Sequence, residues 1–307
     1  MTPNDSIIER IRQQSRQLVR ELDIIRGAVL CSEFTLSQCH VMFELSLHQT
    51  LTLMDLAEHL LIDKSNTSRT VKQLVELQIV KIERAQRDNR QKLFSLTSKG
   101  EKALQAVVVR AEEQVQDAID HLDAEQQETV VEGMRLYAGA LRKNRLQAAY
   151  EIRPIEKRDN LQTARLIRDI LTEFGAVGEG YSIIDPEIDN MSGNYRAKDC
   201  AYYVITKNDQ VTGCGGIAPL VGGDGDTCEL RKMFFSSSIR GIGLGRKLLE
   251  LLLDNARKRG FKKCYLETLD RMWAANKLYQ RHGFKALDKP HGQTGHCGCD
   301  RWYMLDL

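Results

Sequence analysis

Two groups of residues in the second half of the chain could act together on one ligand. The first is a glycine-rich turn, Arg240-Gly241-Ile242-Gly243-Leu244-Gly245, closed by Arg246. It follows an apolar run broken by single charges (230–235) and a Ser-rich turn (236–238), and it opens an apolar helical stretch (248–253). First-turn amides have no intrahelical partners and the helix dipole is positive there, so strand, glycine turn and helix in that order make an anion site. Gly241, Gly243 and Gly245 would let phosphate oxygens reach the backbone with no Cβ in the way. The second group is Asn276 and Tyr279, three residues apart and so on one face of a helix. A phenol with a pKa of about 10 stays protonated at neutral pH and can serve as a general acid. A plain packing tyrosine and a ligand-free turn are the alternatives. The spacing is Gly-x-Gly-x-Gly, not Gly-x-Gly-x-x-Gly, and it lacks the Lys-Ser/Thr ending of a P-loop.

Arg240-x-x-Gly243-x-Gly245 resembles the coenzyme A pyrophosphate loop of the GNAT superfamily of N-acyltransferases. Asn276-x-x-Tyr279-x-x-x-Gly283-Phe284 matches a second motif of that family in the expected order. The resemblance covers about 152–307 and implies a cofactor, acetyl-CoA, and a small amine as acceptor. It implies that the backbone from Arg240 to Arg246 holds the pyrophosphate, that Met233, Phe234 and Phe235 line the pantetheine arm, and that an amide of this splayed strand polarises the thioester. Asn276 and Tyr279 then lie against the cofactor, with Tyr279 as general acid. Glu229 stands where many members place an acid and is the expected general base, its alternative being an exposed strand charge. His296 is a second candidate base. With Tyr181, it is also a candidate for substrate binding.

Three further features are weighed beside these. Asp185, Glu187 and Asp189 could attract a cationic amine, although Asp185-Pro186-Glu187 also reads as a helix start. Cys297, Cys299, His291 and His296 raise a zinc reading, but Cys-x-Cys is tighter than the usual zinc spacing, so no metal is expected. The eight cysteines read as thiols of a reducing cytoplasm.

The first half carries different chemistry. From Lys64 to Lys92 there are eight Lys or Arg and three acids; from Glu101 to Glu132, two basic residues and nine acids. A local basic patch beside an acidic helical region points to a focused nucleic-acid surface. Thr52 can cap a short helix with Leu53, Leu56, Ala57 and Leu60 inward, and Asp63 a second with Thr67, Val71, Leu74 and Val75 inward. Lys64, Ser65, Asn66, Ser68, Arg69 and Lys72 are then left on the open face of that second helix, where they could reach base edges or phosphates. A strand, a charged turn and a strand follow, which read as a β-hairpin wing.

With Asp88-Asn-Arg90-Gln-Lys92 in the turn and Leu96-Thr97-x-x-Gly100 after it, the segment 36–100 resembles a winged helix of the MarR regulator family. The resemblance implies double-stranded operator DNA as partner. It implies a wing in which Asp88 braces Arg90 in the minor groove with Arg87 nearby, and a homodimer built from the first and last helices. A long amphipathic helix over 5–30, with Ile7, Ile8, Ile11, Leu18, Leu22, Ile25 and Val29 recurring at three- and four-residue steps, fits such an interface. A helix from about Ser37 precedes the helix-turn-helix.

The 307 residues, net charge +2, suffice for two ordinary domains. The N-terminus lacks a basic-then-apolar signal pattern, and no apolar run approaches the roughly 18 residues of a membrane span. The expectation is a multidomain chain: a winged helix-turn-helix domain over 1–148, rich in helix, then an α/β (α+β) acyltransferase domain over 151–307 with a mixed, mostly antiparallel sheet. A cytoplasmic, nucleoid-associated regulator that is also an N-acetyltransferase follows. The alternative is a regulator whose second half only senses acyl-CoA or an amine.

Overall fold

The structure, a computed structural model, describes residues 3–22, 24, 33–84 and 91–307. It divides into two compact units, 1–131 and 132–307.

The first unit begins with α1 (Pro3–Glu21), then α2 (Leu36–His48), α3 (Leu53–Leu60) and α4 (Lys64–Glu76). Two short strands, β1 (Val80–Arg84) and β2 (Lys92–Leu96), pair antiparallel, and α5 (Ser98–Ile119) follows. Caps set the boundaries. Thr35, not Ser37, starts α2: its hydroxyl accepts from the Gln38 amide and the Gln38 side chain accepts from the Thr35 amide, a reciprocal box that satisfies two orphan donors. Thr52 and Asp55 repeat this at α3. Asp63 accepts from the Asn66 amide at α4. Leu61, at φ 57°, makes the tight turn between α3 and α4.

The core of this unit is Val41, Met42, Leu45, Leu56, Val71, Leu74, Ile79, Phe94 and Leu104, drawn from α2 to α5 and the hairpin. Thr97 caps α5 by accepting from the Gly100 amide. A Cβ on Gly100 would lie 2.2 Å from the Ile79 carbonyl oxygen, so only glycine lets α5 start against β1.

Helix α6 (Ala124–Gln147) carries the chain into the second unit. There β3 (Glu151–Pro154), α7 (Asn160–Glu173) and the single turn α8 (Met191–Asn194) precede β4 (Ala201–Lys207) and β5 (Gln210–Pro219). Then come β6 (Thr227–Phe235), α9 (Leu244–Lys258), β7 (Lys263–Thr268), α10 (Trp273–Arg281), β8 (Lys285–Leu287) and β9 (Arg301–Asp306). The sheet has seven strands in the order β3-β4-β5-β6-β7-β9-β8. Every pair is antiparallel except β6 with β7, joined by α9. Asn208 and Asp209, at φ 50° and 60°, form the two-residue β4–β5 turn with both φ positive, whose twist matches the strands.

Two apolar layers hold the sheet. Leu248, Leu249, Leu252 and Ala256 of α9 cover one face; Ala164, Ile167 and Leu171 of α7, with Ile188 and Met191, cover the other. The parallel pair β6–β7 is registered only from Thr227↔Lys263 to Glu229↔Tyr265. Beyond it the two strands separate, and each keeps its other neighbour, β5 or β9.

Candidate active site

A cavity of about 90 Å³ opens where β6 and β7 separate. It is walled by 229–234 of β6, by 267–269 at the end of β7, and by Met272, Ala275 and Tyr279. Tyr181, Ser182, His296 and Cys299 close it from two loops. The structure therefore brings Glu229, Met233, Phe234, Tyr279, Tyr181 and His296 to one place.

Those two loops meet through glycine. The Gly298 amide donates to the Gly180 carbonyl at 2.9 Å. A Cβ on Gly298 would lie 2.5 Å from the Tyr181 ring, and one on Gly180 would lie 2.7 Å from Cys297 Sγ. The cysteines and histidines of this stretch do not gather around one point. His296 is turned to acids, and burial pushes the Cys299 thiol up to about 12.

The polar end of the cavity is a chain of alternating charge. Glu229, almost wholly buried, accepts from Arg231 Nε at 2.6 Å, and Arg231 also donates to the Pro219 carbonyl. Burial pushes the Glu229 carboxyl above its ordinary value; Arg231 pulls it back, and the charge of Glu267 adds to the rise. Lys232 breaks the strand. At φ 47° it is left-handed, the β5–β6 register shifts beside it, and its side chain is buried at 3% exposure. Its ammonium meets Asp185 at 2.7 Å and Glu187 at 2.5 Å. A buried cation is tolerable only when so paired.

Asp185 therefore makes no side-chain cap for the turn it precedes, 186–190, which is a 3-10 turn. Nor are Asp185, Glu187 and Asp189 free to draw in a cation, because Asp189 is held by Arg168 at 2.8 Å. His296 donates from Nε2 to Asp185 at 3.0 Å and turns Nδ1 to Glu267 at 3.6 Å. The bond to Asp185, and then Glu267, lift its pKa to about 9. It is an imidazolium at neutral pH, which suits charge balance and not proton acceptance.

Glu267 is the site residue that the sequence reading missed. Its Oε1 accepts from Tyr265 Oη at 2.7 Å and from Thr294 Oγ1 at 2.9 Å. Its Oε2 is buried with no hydrogen-bond partner among the described residues. The available signal was the two-residue step Tyr265–Glu267 beside the strand that carries Glu229.

At the apolar end, Tyr279 is buried against Phe284 and Tyr303. Burial pushes its phenol well above the ordinary value, so it stays a proton donor through the physiological range. Asn276, one turn earlier, donates from Nδ2 to the Leu269 and Asp270 carbonyls, while its Oδ1 is buried with no partner among the described residues.

The glycine turn leads into α9. Gly241 and Gly243 have φ 79° and 91°, and no side chain caps the helix. Gly245 takes an ordinary φ beneath Phe235 and Leu278. Leu244 is buried, and Ile242 packs on the same core. Both flanking arginines already have partners. Arg240 grips Glu173 with two hydrogen bonds, at 2.5 and 2.6 Å, and donates from Nε to the Phe235 carbonyl. Arg246 pairs with Glu250 at 2.7 Å. Gln147, also unanticipated, donates to the Ile242 carbonyl at 2.6 Å and fills the space a Cβ on Gly243 would take.

In the first unit, Lys64, Ser65, Asn66, Ser68, Arg69 and Lys72 all lie exposed on α4, opposite buried Thr67, Val71 and Leu74. Asn66 is held between Asp63 and Arg69, and Lys72 lies 3.8 Å from Glu76. The expected wing residues Arg87, Asp88 and Arg90 lie outside the described residues.

The model of the GNAT family of acetyltransferases matches residues 164–284, and that of the MarR family matches 32–91. An uncharacterized N-acetyltransferase of Escherichia coli, YjgM, is 41% identical over 157 residues, 51% of this chain and 94% of that protein. Among solved structures, a GNAT-family acetyltransferase of Staphylococcus aureus aligns at 22% identity with a TM-score of 0.46, over 52% of this chain and 99% of that one. The Salmonella typhimurium protein yncA, solved with acetyl-CoA, aligns at 23% identity with a TM-score of 0.43, over 52% of this chain and 94% of that one.

Proposed function

Because the chain belongs to the GNAT family of acetyltransferases and carries a MarR-family domain ahead of that one, we propose that it acetylates a small amine with acetyl-CoA and also binds operator DNA as a homodimer. We place the boundary between 148 and 151, where α6 has ended at Gln147 and β3 begins at Glu151. The observation that carries the catalytic reading is the cavity between β6 and β7, with a buried carboxyl at one end and a buried phenol at the other.

The residues fit the cofactor. The orphaned Asn276 Oδ1 lacks a donor such as an amide N–H of the pantetheine arm would provide. The uncapped first turn of α9 and the glycines before it suit a pyrophosphate. When bound, acetyl-CoA supplies an activated acetyl thioester. Glu229, its proton affinity raised by burial, takes the proton of the amine, directly or through a water. The backbone of β6 beside the Lys232 bulge would supply an amide to polarise the thioester carbonyl of bound acetyl-CoA. Tyr279 gives its proton to the leaving thiolate. Arg240 and Arg246 reach phosphate only by sharing or leaving Glu173 and Glu250. Lys232 and His296 are paired with Asp185, Glu187 and Glu267, and Glu229 is paired with Arg231, so Glu229 takes up a proton only by sharing or leaving that arginine. Among the described residues no helix is long and apolar enough to cross a membrane.

The test is release of free CoA from acetyl-CoA against a panel of amines and amino acids. Turnover on one group of amines, with Tyr279→Phe slower by about tenfold or more and CoA affinity unchanged, is the expected result. Binding of acetyl-CoA with no turnover on any amine would move the chain to the sensing class.

A further inference from the structure

The strongest feature that neither the acetyl-transfer site nor the DNA-facing helix uses is a cluster in the first unit. Glu44 and His48 are one turn apart on α2, and His59 comes from the last turn of α3. Glu44 Oε2 lies 2.8 Å from His59 Nδ1 and 3.6 Å from His48 Nε2. The two imidazoles stand edge to face with ring centroids 4.7 Å apart. One ligand atom from each of the three lies within 4.8 Å of the others.

We propose that Glu44, His48 and His59 bind a divalent transition metal of the zinc type, joining α2 to α3. Two imidazoles and a carboxylate are a known zinc donor set that leaves a fourth position for water. With metal–ligand bonds of about 2.0–2.2 Å, tetrahedral donors lie roughly 3.3 Å apart. The two measured separations from Glu44 Oε2 fall on either side of that value, so small rotations of half-exposed side chains bring all three into range. The backbone is already set. His48 ends α2, Gln49 takes φ 64°, and Leu51 pairs with Phe94 through two hydrogen bonds before Thr52 caps α3. The absence of metal expected from the sequence rested on the Cys-x-Cys stretch in the other unit; this site is elsewhere and contains no sulfur. Since α3 packs on α4, a metal at this joint would fix the helix that carries Arg69 and Lys72.

The test titrates the purified, metal-free full chain with Co(II), and then Zn(II), in a Cys297→Ser/Cys299→Ser background that removes the two closely spaced thiols. One equivalent of Co(II), giving visible d–d bands of four- or five-coordinate intensity with no sulfur charge transfer and displaced by Zn(II), is expected. His48→Gln and His59→Gln should each weaken binding by at least about tenfold, the scale at which even outer-shell partners act. Both are surface changes, and an unchanged thermal transition of the metal-free variants shows that they fold. No saturable binding by the parent, or binding unaltered in both variants, overturns the proposal.

Discussion

Glu229 and His296 show how environment divides roles between candidate bases. Both were named from sequence, and both face the same cavity. Acids on two sides hold His296 protonated to about 9, whereas burial makes Glu229 a better proton acceptor than an exposed carboxylate. A base must be deprotonated to work, so the rate should climb as pH rises through the elevated Glu229 pKa. In Glu229→Gln, kcat/KM should fall by about a hundredfold or more and that acid limb should disappear from the pH–rate profile. A retained limb would remove Glu229 from the role of general base. Asn276 and Tyr279 were named from a short local motif and Glu229 from its place at the start of the central strand, and the fold buries all three. Glu267 and the partners of Lys232 were not legible. A lysine in mid-strand reads as solvent-facing, and nothing local announces acids 47 and 45 residues upstream that fold over it.

At the scale of elements, most of the helix and strand boundaries followed from caps and turn residues. Thr52, Asp63 and Asn208-Asp209 act as their chemistry predicts. Asp185 does not, because a buried ammonium and an imidazolium compete for its carboxylate and win over a backbone amide. Gly100 belonged to a motif, but its reason appears only in three dimensions, in the carbonyl of Ile79 beneath it. Gly100→Ala should force α5 away from β1. A loss of about 1–3 kcal/mol, the usual cost of overpacking, should be seen as an earlier chemical-denaturation transition of the winged-helix unit, with the acetyl-transfer rate unchanged.

For the molecule as a whole, the order of the two families along the chain was readable because each motif is short and local. The proposed self-association rests on a stripe that was already readable in the sequence, of which Ile25 and Val29 lie outside the described residues. Ile7, Ile8, Ile11, Leu18 and Leu22 lie exposed along the first helix region, a stripe that a second copy would cover. Removal of residues 1–22 should shift the species seen by light scattering from dimer to monomer. It should also weaken binding to a two-half-site DNA selected from a random pool, while a single half-site binds as before. A truncated chain that remains dimeric would place the interface on other helices.

The early end of the β6–β7 ladder has a further consequence. A β-sheet normally confines its unpaired backbone to its two outer margins, where charge, proline or a covering helix discourages stray pairing. This sheet has seven strands and a third margin in its interior, where the facing sides of 230–235 and 266–268 have no ladder to join. That margin is a template for an extended, amide-bearing chain, and under the proposed acetyl-CoA reading a pantetheine arm would extend the sheet there as a short guest strand. On that reading, acetyl-CoA should raise the thermal unfolding midpoint of the chain, with a stabilisation that grows with the logarithm of its concentration above the dissociation constant. Any extended peptide that can reach the slot meets the same backbone groups, so the margin that would receive a cofactor is also one where stray strand addition can start.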